Sequence, residues 1–201
     1  NITGLGTAVE NGGIIQKILC FLYKIGLSKA SKIFFQNREN RRFFEEKNIF
    51  KEKHELIPGS GVNLERFSYI DYPEETSAIR FLLIARIMKD KGIDEFLAAA
   101  ETINRKYPQV EFHICGFCEK EYEDRIEDIK NEGYITYHGM VRDVREYIRD
   151  AHCVILPSYH EGMANVLLEG AASGRPIMAS LIPGCQESFD EGVTGFGFEP
   201  K

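Results

Sequence analysis

Two carboxylates in one short stretch, Glu161 and Glu169 with seven residues between them, are the side chains of this 201-residue chain best placed to do chemistry. They lie in Ser158-Tyr-His-Glu-Gly-Met-Ala-Asn-Val-Leu-Leu-Glu-Gly-Ala-Ala-Ser-Gly-Arg-Pro176. Glu161 sits in a polar turn just before a helical pattern, where a carboxylate complements the positive end of the helix and reads as a cap. Glu169 falls two helical turns further in, flanked by Leu168 and Ala171. A carboxylate on a buried helix face needs donors. The two hydroxyls of a ribose would supply them, and so would a structural ion pair; spacing alone does not separate the two. A second set is basic. Arg86 and Lys91 frame the turn Ile87-Met-Lys-Asp-Lys-Gly92 after an apolar run. Arginine as a planar fork and lysine as a point charge can together grip a diphosphate. Solvated loop charge, the usual state of a residue such as Lys89, is the plain alternative.

Both sets need elements to hold them. Cys153-Val-Ile-Leu-Pro157 reads as a buried parallel strand bounded by proline. A helix follows from about Met163 to Ser173, with Val166, Leu167, Gly170 and Ala171 on its apolar face, and Gly174 and Pro176 end it. Strand, turn and helix in that order bring the free amides of a helix N-terminus to the carboxyl end of a strand, where open α/β sheets bind phosphorylated ligands. The basic pair repeats the arrangement: a strand from Ile79 to Arg86, then a helix from about Gly92 to Tyr107. Further strands are expected at Val110–Gly116 and Ile135–Gly139. A charged helix is expected over Glu119–Glu132, and a short one capped by Asp143 and running to Asp150. Strands and helices alternating in this way specify an α/β fold, a Rossmann-like doubly wound parallel sheet.

Upstream, Gly12 to Ala30 is amphipathic. Ile14, Ile15, Ile18, Leu19, Leu22 and Ile25 form a helical stripe, with Lys17, Lys24 and Lys29 toward the polar side. The stripe is expected to pack on a sheet in preference to lying on a membrane. A strand at Lys32–Gln36 and a helix from Arg38 to Asn48 complete what reads as the last helix-strand-helix of a preceding Rossmann-like domain. Thr3-Gly-Leu-Gly6 is a lone G-x-G, too weak a pattern to assign a nucleotide loop. Pro58, Gly59 and Gly61 punctuate a crossover from Glu55 to Phe67, and Tyr69–Ala78 reads as a loose solvent loop. The expected organisation is therefore residues 1–56, the end of one domain; 57–78, a crossover; and 79–201, a ligand-binding domain. The chain opens on Asn1 and closes on Phe198-Glu-Pro-Lys201, and reads as an excised fragment.

Composition narrows the function. With 43% hydrophobic residues the chain can bury a core, and a formal net charge of -6 argues against a nucleic-acid surface. No apolar run is long enough to span a bilayer. Five scattered cysteines suit a reduced, cytoplasmic protein. Cys115-Gly-Phe-Cys118 lacks a second ligand pair for zinc and reads as strand-end packing in preference to a redox centre. His113, His138 and His152 have no metal spacing and are expected to be structural, whereas His160, beside Glu161, is the histidine expected to meet ligand.

The string EGMANVLLEGAASGRPIMAS, with Gly184-Cys-Gln-Glu187 and Gly192-Val-Thr-Gly195 after it, resembles the donor-binding half of the retaining GT-B glycosyltransferases of family 4. The resemblance runs over nearly the whole chain and is strongest from Leu82 to Gly195. It implies a GT-B fold and transfer of a sugar from a nucleotide-diphosphate sugar, here a UDP-sugar, to a glycan or lipid-linked acceptor with retention of configuration. Residue by residue, it places Glu161 on the sugar as the catalytic carboxylate and Glu169 on the nucleotide ribose. Gly162, Met163, Ala164, Asn165 and Val166 would line the donor turn, and Arg86 and Lys91, as R-x4-K, would clamp the diphosphate. It implies no cofactor and no metal, the nucleotide sugar being a substrate, and no D-x-D motif is found in the sequence. The implied setting is bacterial capsule, exopolysaccharide or O-antigen synthesis, in the cytoplasm with peripheral contact to the inner membrane. A lone donor half is expected to be inactive. The chain departs from the family at Ala164 and Gly170, where proline and alanine are usual, and at Ser60 and Asn63, where asparagine and aspartate are usual. Two other readings stand beside this one: a nucleotide-sugar epimerase on the same fold, which should lack the two glutamates, and a non-catalytic nucleotide-binding module.

Overall fold

The computed structural model describes residues 2, 9, 12–74 and 78–200; Thr3-Gly-Leu-Gly6 and residues 75–77 of the expected solvent loop lie outside them. Near the N-terminus come α1 (Gly13–Gly26), β1 (Ile33–Phe35), α2 (Arg38–Glu46) and β2 (His54–Leu56). β1 and β2 pair in parallel as a two-stranded sheet, and Ile2 bridges to Phe35 on the other side of β1. The second strand lies where the sequence suggested only the start of the crossover, because three residues are too short a run to show a period.

The larger sheet holds β3 (Ile79–Ile84), β4 (Val110–Cys115), β5 (Ile135–Tyr137), β6 (Cys153–Leu156), β7 (Ile177–Ser180) and β8 (Gly195–Phe198). Its order is β5-β4-β3-β6-β7-β8 and every pairing is parallel, the doubly wound arrangement expected. The helices α3 (Ile93–Lys106), α4 (Glu123–Glu132), α5 (Arg145–Asp150) and α6 (Asn165–Ala172) connect the strands. The chain moves outward from β3 through β4 to β5, then returns to place β6 on the other side of β3. The direction of winding reverses there, so the loops after β3 and β6 diverge and leave a crevice between them.

Alternating strand residues feed separate cores. Leu83 joins Phe96, Leu97, Phe112, Ile114, Leu156, Leu167 and Ile177, while its neighbour Leu82 joins Cys115, Ile148, Ala151 and Phe67. Each such side chain removed from water contributes about 1.5–3 kcal/mol. Gly170, one of the two departures in the signature stretch, has a packing cause. A Cβ there would lie 2.9 Å from Val154 Cγ2, so the glycine lets α6 settle onto β6.

Two expectations change. Ile14, Ile15, Ile18, Leu22 and Ile25 of α1 do not pack on a sheet; they stand 53–76% exposed together with Phe21. The helix instead turns Cys20 and Tyr23, with Leu27 just past its end, toward the small core of Ile33, Phe35, Phe44 and Ile49. The segment after Tyr69 is also not loose. Tyr72 Oη donates to the His152 carbonyl at 3.1 Å, and the buried Arg175 guanidinium donates to the carbonyls of Asp71 and Ile148. Arg175, assigned no role from sequence, fastens this segment to the large sheet. Among the described residues no helix is long and apolar enough to cross a membrane.

Candidate functional site

The turn after β3 brings Lys91 to the crevice. Lys89–Lys91 form one 3-10 turn, and Gly92 follows with φ +66°. A side chain there would be strained, and its Cβ would fall 2.0 Å from the Pro157 carbonyl oxygen at the end of β6. Glycine therefore lets the β3 turn press against the β6 turn. The Asp90 carbonyl then accepts the Tyr159 amide at 2.9 Å and the Ser158 hydroxyl at 3.2 Å. The result is a short ion pair, Lys91 Nζ to Glu161 Oε1 at 2.6 Å, with side chains only 20% and 15% exposed. A pair drawn out of water this far gains little net stability, so its position in a crevice is better explained by chemistry than by folding.

Glu161 is therefore not a cap. α6 begins at Asn165, its N-cap is Ala164, and no side chain caps it. Several amides of this turn are already used: Ala164 donates to the Gly184 carbonyl, Asn165 to Met163, and Leu167 to Ala164. Val166 is left, among the described residues, as a first-turn amide with no backbone acceptor. The Glu161–Gly162 backbone is held from two sides. Asn37, the N-cap of α2, donates from Nδ2 to the carbonyls of Gly162 at 3.1 Å and Glu161 at 3.4 Å. Opposite, Gly184 has φ +90°, and a Cβ there would stand 2.7 and 2.8 Å from the same two carbonyl oxygens.

The Glu169 side chain is half-buried on α6, and among the described residues its carboxylate accepts no hydrogen bond and makes no ion pair. Burial pushes its carboxyl up from the ordinary value, and the Arg66 charge opposes this. Arg86, by contrast, is not drawn in beside Lys91. It is exposed and pairs with Glu119 at 3.6 Å, on the loop after the neighbouring strand β4. Met163 lies beneath the crossover, where a Cβ on Gly59 would be 2.5 Å from its Cγ. Asn165 is exposed, whereas Ala164 is buried.

An open cleft of roughly 870 Å³ lies beside Glu161. Tyr159, His160, Glu161 and Gly162 line one side, and Asn37, Asn40 and Phe43 from the α2 region line the other. His160 thus stands at the cleft. His113, His138 and His152 are structural: His113 Nδ1 and His138 Nε2 share a hydrogen bond at 2.9 Å, and His152 Nδ1 accepts the Arg80 amide. Burial pushes the Cys115 thiol up to about 12 and raises Cys118, which holds both as thiols where a redox or metal centre needs thiolates. No group of three or more histidine, cysteine or acidic residues that could hold a metal occurs among the described residues.

Sequence reasoning missed Asn37, and quoted Ser158 and Gly184 within motifs without giving either a role. Asn37 had a local signal as an N-cap, since its Oδ1 accepts the Asn40 amide at 2.9 Å. Its bonds to residues more than a hundred positions away had none.

A family model described as Glycosyl transferases group 1 matches residues 78–201. The chain is 26% identical over 215 residues to N,N'-diacetylbacillosaminyl-diphospho-undecaprenol alpha-1,3-N-acetylgalactosaminyltransferase of Campylobacter jejuni, an alignment covering 100% of this chain and 56% of that protein. It is 23% identical over 193 residues to the capsular polysaccharide biosynthesis glycosyltransferase CapM of Staphylococcus aureus, covering 89% of this chain and 51% of that one. The chain thus spans about half the length of these relatives. Among solved structures, Anabaena Alr3699/HepE in complex with UDP and glucose superposes with a TM-score of 0.77 at 19% identity, over 95% of this chain and 55% of that chain. Sucrose-phosphate synthase from Thermosynechococcus elongatus gives a TM-score of 0.74 at 23% identity, over 98% and 51%. The fold is the GT-B α/β fold of these proteins.

Proposed function

Because the chain belongs to the Glycosyl transferases group 1 family, on a match to residues 78–201, we propose that it holds the nucleotide-sugar donor of a glycosyltransferase at the crevice between β3 and β6. The observation that carries this reading is Glu169. A half-buried carboxylate without a hydrogen bond or ion pair among the described residues is costly unless a ligand supplies donors, and a ribose diol has two. Glu161 meets the hydroxyls of the donor sugar. Lys91, on the arrival of the donor, divides its charge between Glu161 and the diphosphate, with Arg86 and the Val166 amide adding to that charge clamp. Gly162, Met163, Ala164 and Asn165 shape the turn that carries Glu161.

In this reading the donor is a UDP-sugar, and the bond from the sugar's anomeric carbon to the diphosphate breaks. A bond to an acceptor hydroxyl oxygen forms with retained configuration, and the hydroxyl proton passes to the departing diphosphate oxygen. The developing charge on the diphosphate falls to protein donors, with no metal assigned. The acceptor is a glycan or lipid-linked glycan of a bacterial surface polysaccharide, approaching from the α2 side of the cleft. Peripheral contact with the inner membrane's cytoplasmic face falls to the exposed apolar side chains of α1. An epimerase finds no specific support in the site.

Calorimetric titration of the chain with UDP, ADP, GDP and their sugars tests the donor reading. Weak binding of UDP and a UDP-sugar, unchanged by a chelator and without transfer by the chain alone, is the expected result. No binding of any nucleotide at millimolar concentration would overturn it.

A further inference from the structure

We propose that Asn37 is a positioning residue for the reaction: its side-chain amide fixes the turn that carries Glu161, and so ties the α2 side of the cleft to the donor side. The inference rests on the reading of Glu161 as the donor-sugar carboxylate. Asn37 is 4% exposed. Its Oδ1 is spent on the Asn40 amide at 2.9 Å, which orients the group and turns both N–H donors of Nδ2 away from α2. Those donors reach the Gly162 and Glu161 carbonyls, which also face the close approach of Gly184.

Capping alone does not account for the residue type. Serine, threonine and aspartate cap a helix as well as asparagine does, but of these only asparagine keeps an acceptor for the cap and two donors for a pair of carbonyls. The neighbouring residue repeats the pattern. Gln36, 5% exposed, donates from Nε2 to Ser60 Oγ at 2.9 Å, next to the Gly59 that packs on Met163. The end of β1 is thereby attached to both the crossover and the Glu161 turn. Loss of the Asn37 donors leaves the Lys91 ion pair to hold the Glu161 side chain over a backbone free to shift, and misplacement on the scale of an ångström is enough to degrade a site built on oriented hydrogen bonds.

Asn37→Asp separates this role from capping. It keeps the acceptor for the Asn40 amide and sets a carboxylate oxygen against two carbonyls. In amide hydrogen exchange read by mass spectrometry, the variant should exchange several-fold faster over residues 159–165 with α2 unchanged, and the carboxylate set against two carbonyls should lower the melting temperature. In calorimetry, its preference for the bound UDP-sugar over UDP should fall about tenfold, the loss of one hydrogen-bonded contact. Unchanged exchange in the turn overturns the proposal, and so does faster exchange with an intact preference. If the wild-type chain binds no nucleotide, the donor reading fails by itself, and the exchange arm still decides whether Asn37 holds the turn. Asn37→Ala, which removes cap and donors together, should also speed exchange in α2; a loss confined to α2 would mean a cap and nothing more.

Discussion

Helices α1 and α6 are both mostly apolar, yet they end in opposite situations. α6, eight residues long, buries Leu167 and Gly170 against β6 and β7, while α1, at fourteen residues, buries none. α1 carries apolar side chains on two faces: Cys20 and Tyr23, with Leu27 just past its end, meet the small core, and Ile14, Ile18, Phe21, Leu22 and Ile25 stand in solvent. The difference teaches that apolar periodicity reports a face to be covered without saying what covers it. For α6 the cover is a strand that precedes it by nine residues, Leu156 to Asn165. For the exposed face of α1 no cover lies among the described residues.

The largest effect expected from this contrast is on stability. Ile114→Ala, at a fully buried position in β4, should cost about 2–5 kcal/mol in urea unfolding, whereas Ile18→Ala, 53% exposed, should stay within about 0.5 kcal/mol. Equal losses would mean that the α1 face is covered in solution and would collapse the comparison.

Next in size is the division of labour between the glutamates. Glu169→Gln should weaken UDP binding roughly ten- to hundredfold, about 1.5–3 kcal/mol, while Glu161→Ala should remove the excess affinity for a UDP-sugar over UDP. The reverse pattern would exchange the two roles. Glu169 adds a pH signature. Its folded carboxyl is raised by burial, so its contribution to stability is full below the ordinary carboxylate range and lost as pH rises through the folded value. Glu169→Gln should therefore raise the melting temperature at pH 7 and lose that advantage below about pH 4. Stability gained where binding is lost is the mark of a ligand group.

A smaller effect belongs to α1 itself. Paired substitution Ile18→Glu and Phe21→Glu should lower flotation with anionic phospholipid vesicles about tenfold, with Lys24→Glu contributing less. Undiminished flotation would remove the membrane from the proposed setting. The smallest effect is at the thiols. Joint Cys115→Ala and Cys118→Ala should leave nucleotide affinity within about twofold, and native Cys115 should resist alkylation at pH 8, because burial holds it protonated. A reducible bond between the two would contradict this.

Much of the large sheet was legible in advance, for a physical reason. Buried parallel strands are continuous apolar runs, and Ile79–Ile84, Val110–Cys115 and Cys153–Leu156 stand between clear breakers. β2, with half-buried His54, Glu55 and Leu56, and β8, Gly-Phe-Gly-Phe, were not, because edge pairing demands little of side chains. Of the candidate site, type and spacing singled out Glu161, Glu169 and Lys91, and the structure brings Lys91 onto Glu161. The direction of Arg86 toward Glu119 was not, since an exposed arginine chooses among partners brought near only by the strand order.

The sequence by itself determined the alternation of strands and helices, the glycines that let turns meet, and the charged groups offered at the carboxyl ends of β3 and β6. Those are local properties, set by side-chain period and backbone freedom within a few residues. Only the tertiary structure decided that Lys91 closes on Glu161 across seventy positions and that Asn37 reaches the same turn from α2. It also left the Glu169 carboxylate without a hydrogen bond or ion pair among the described residues. Such contacts depend on strand order and on the reversal of winding between β3 and β6, where distant residues become neighbours through the packing of the whole sheet.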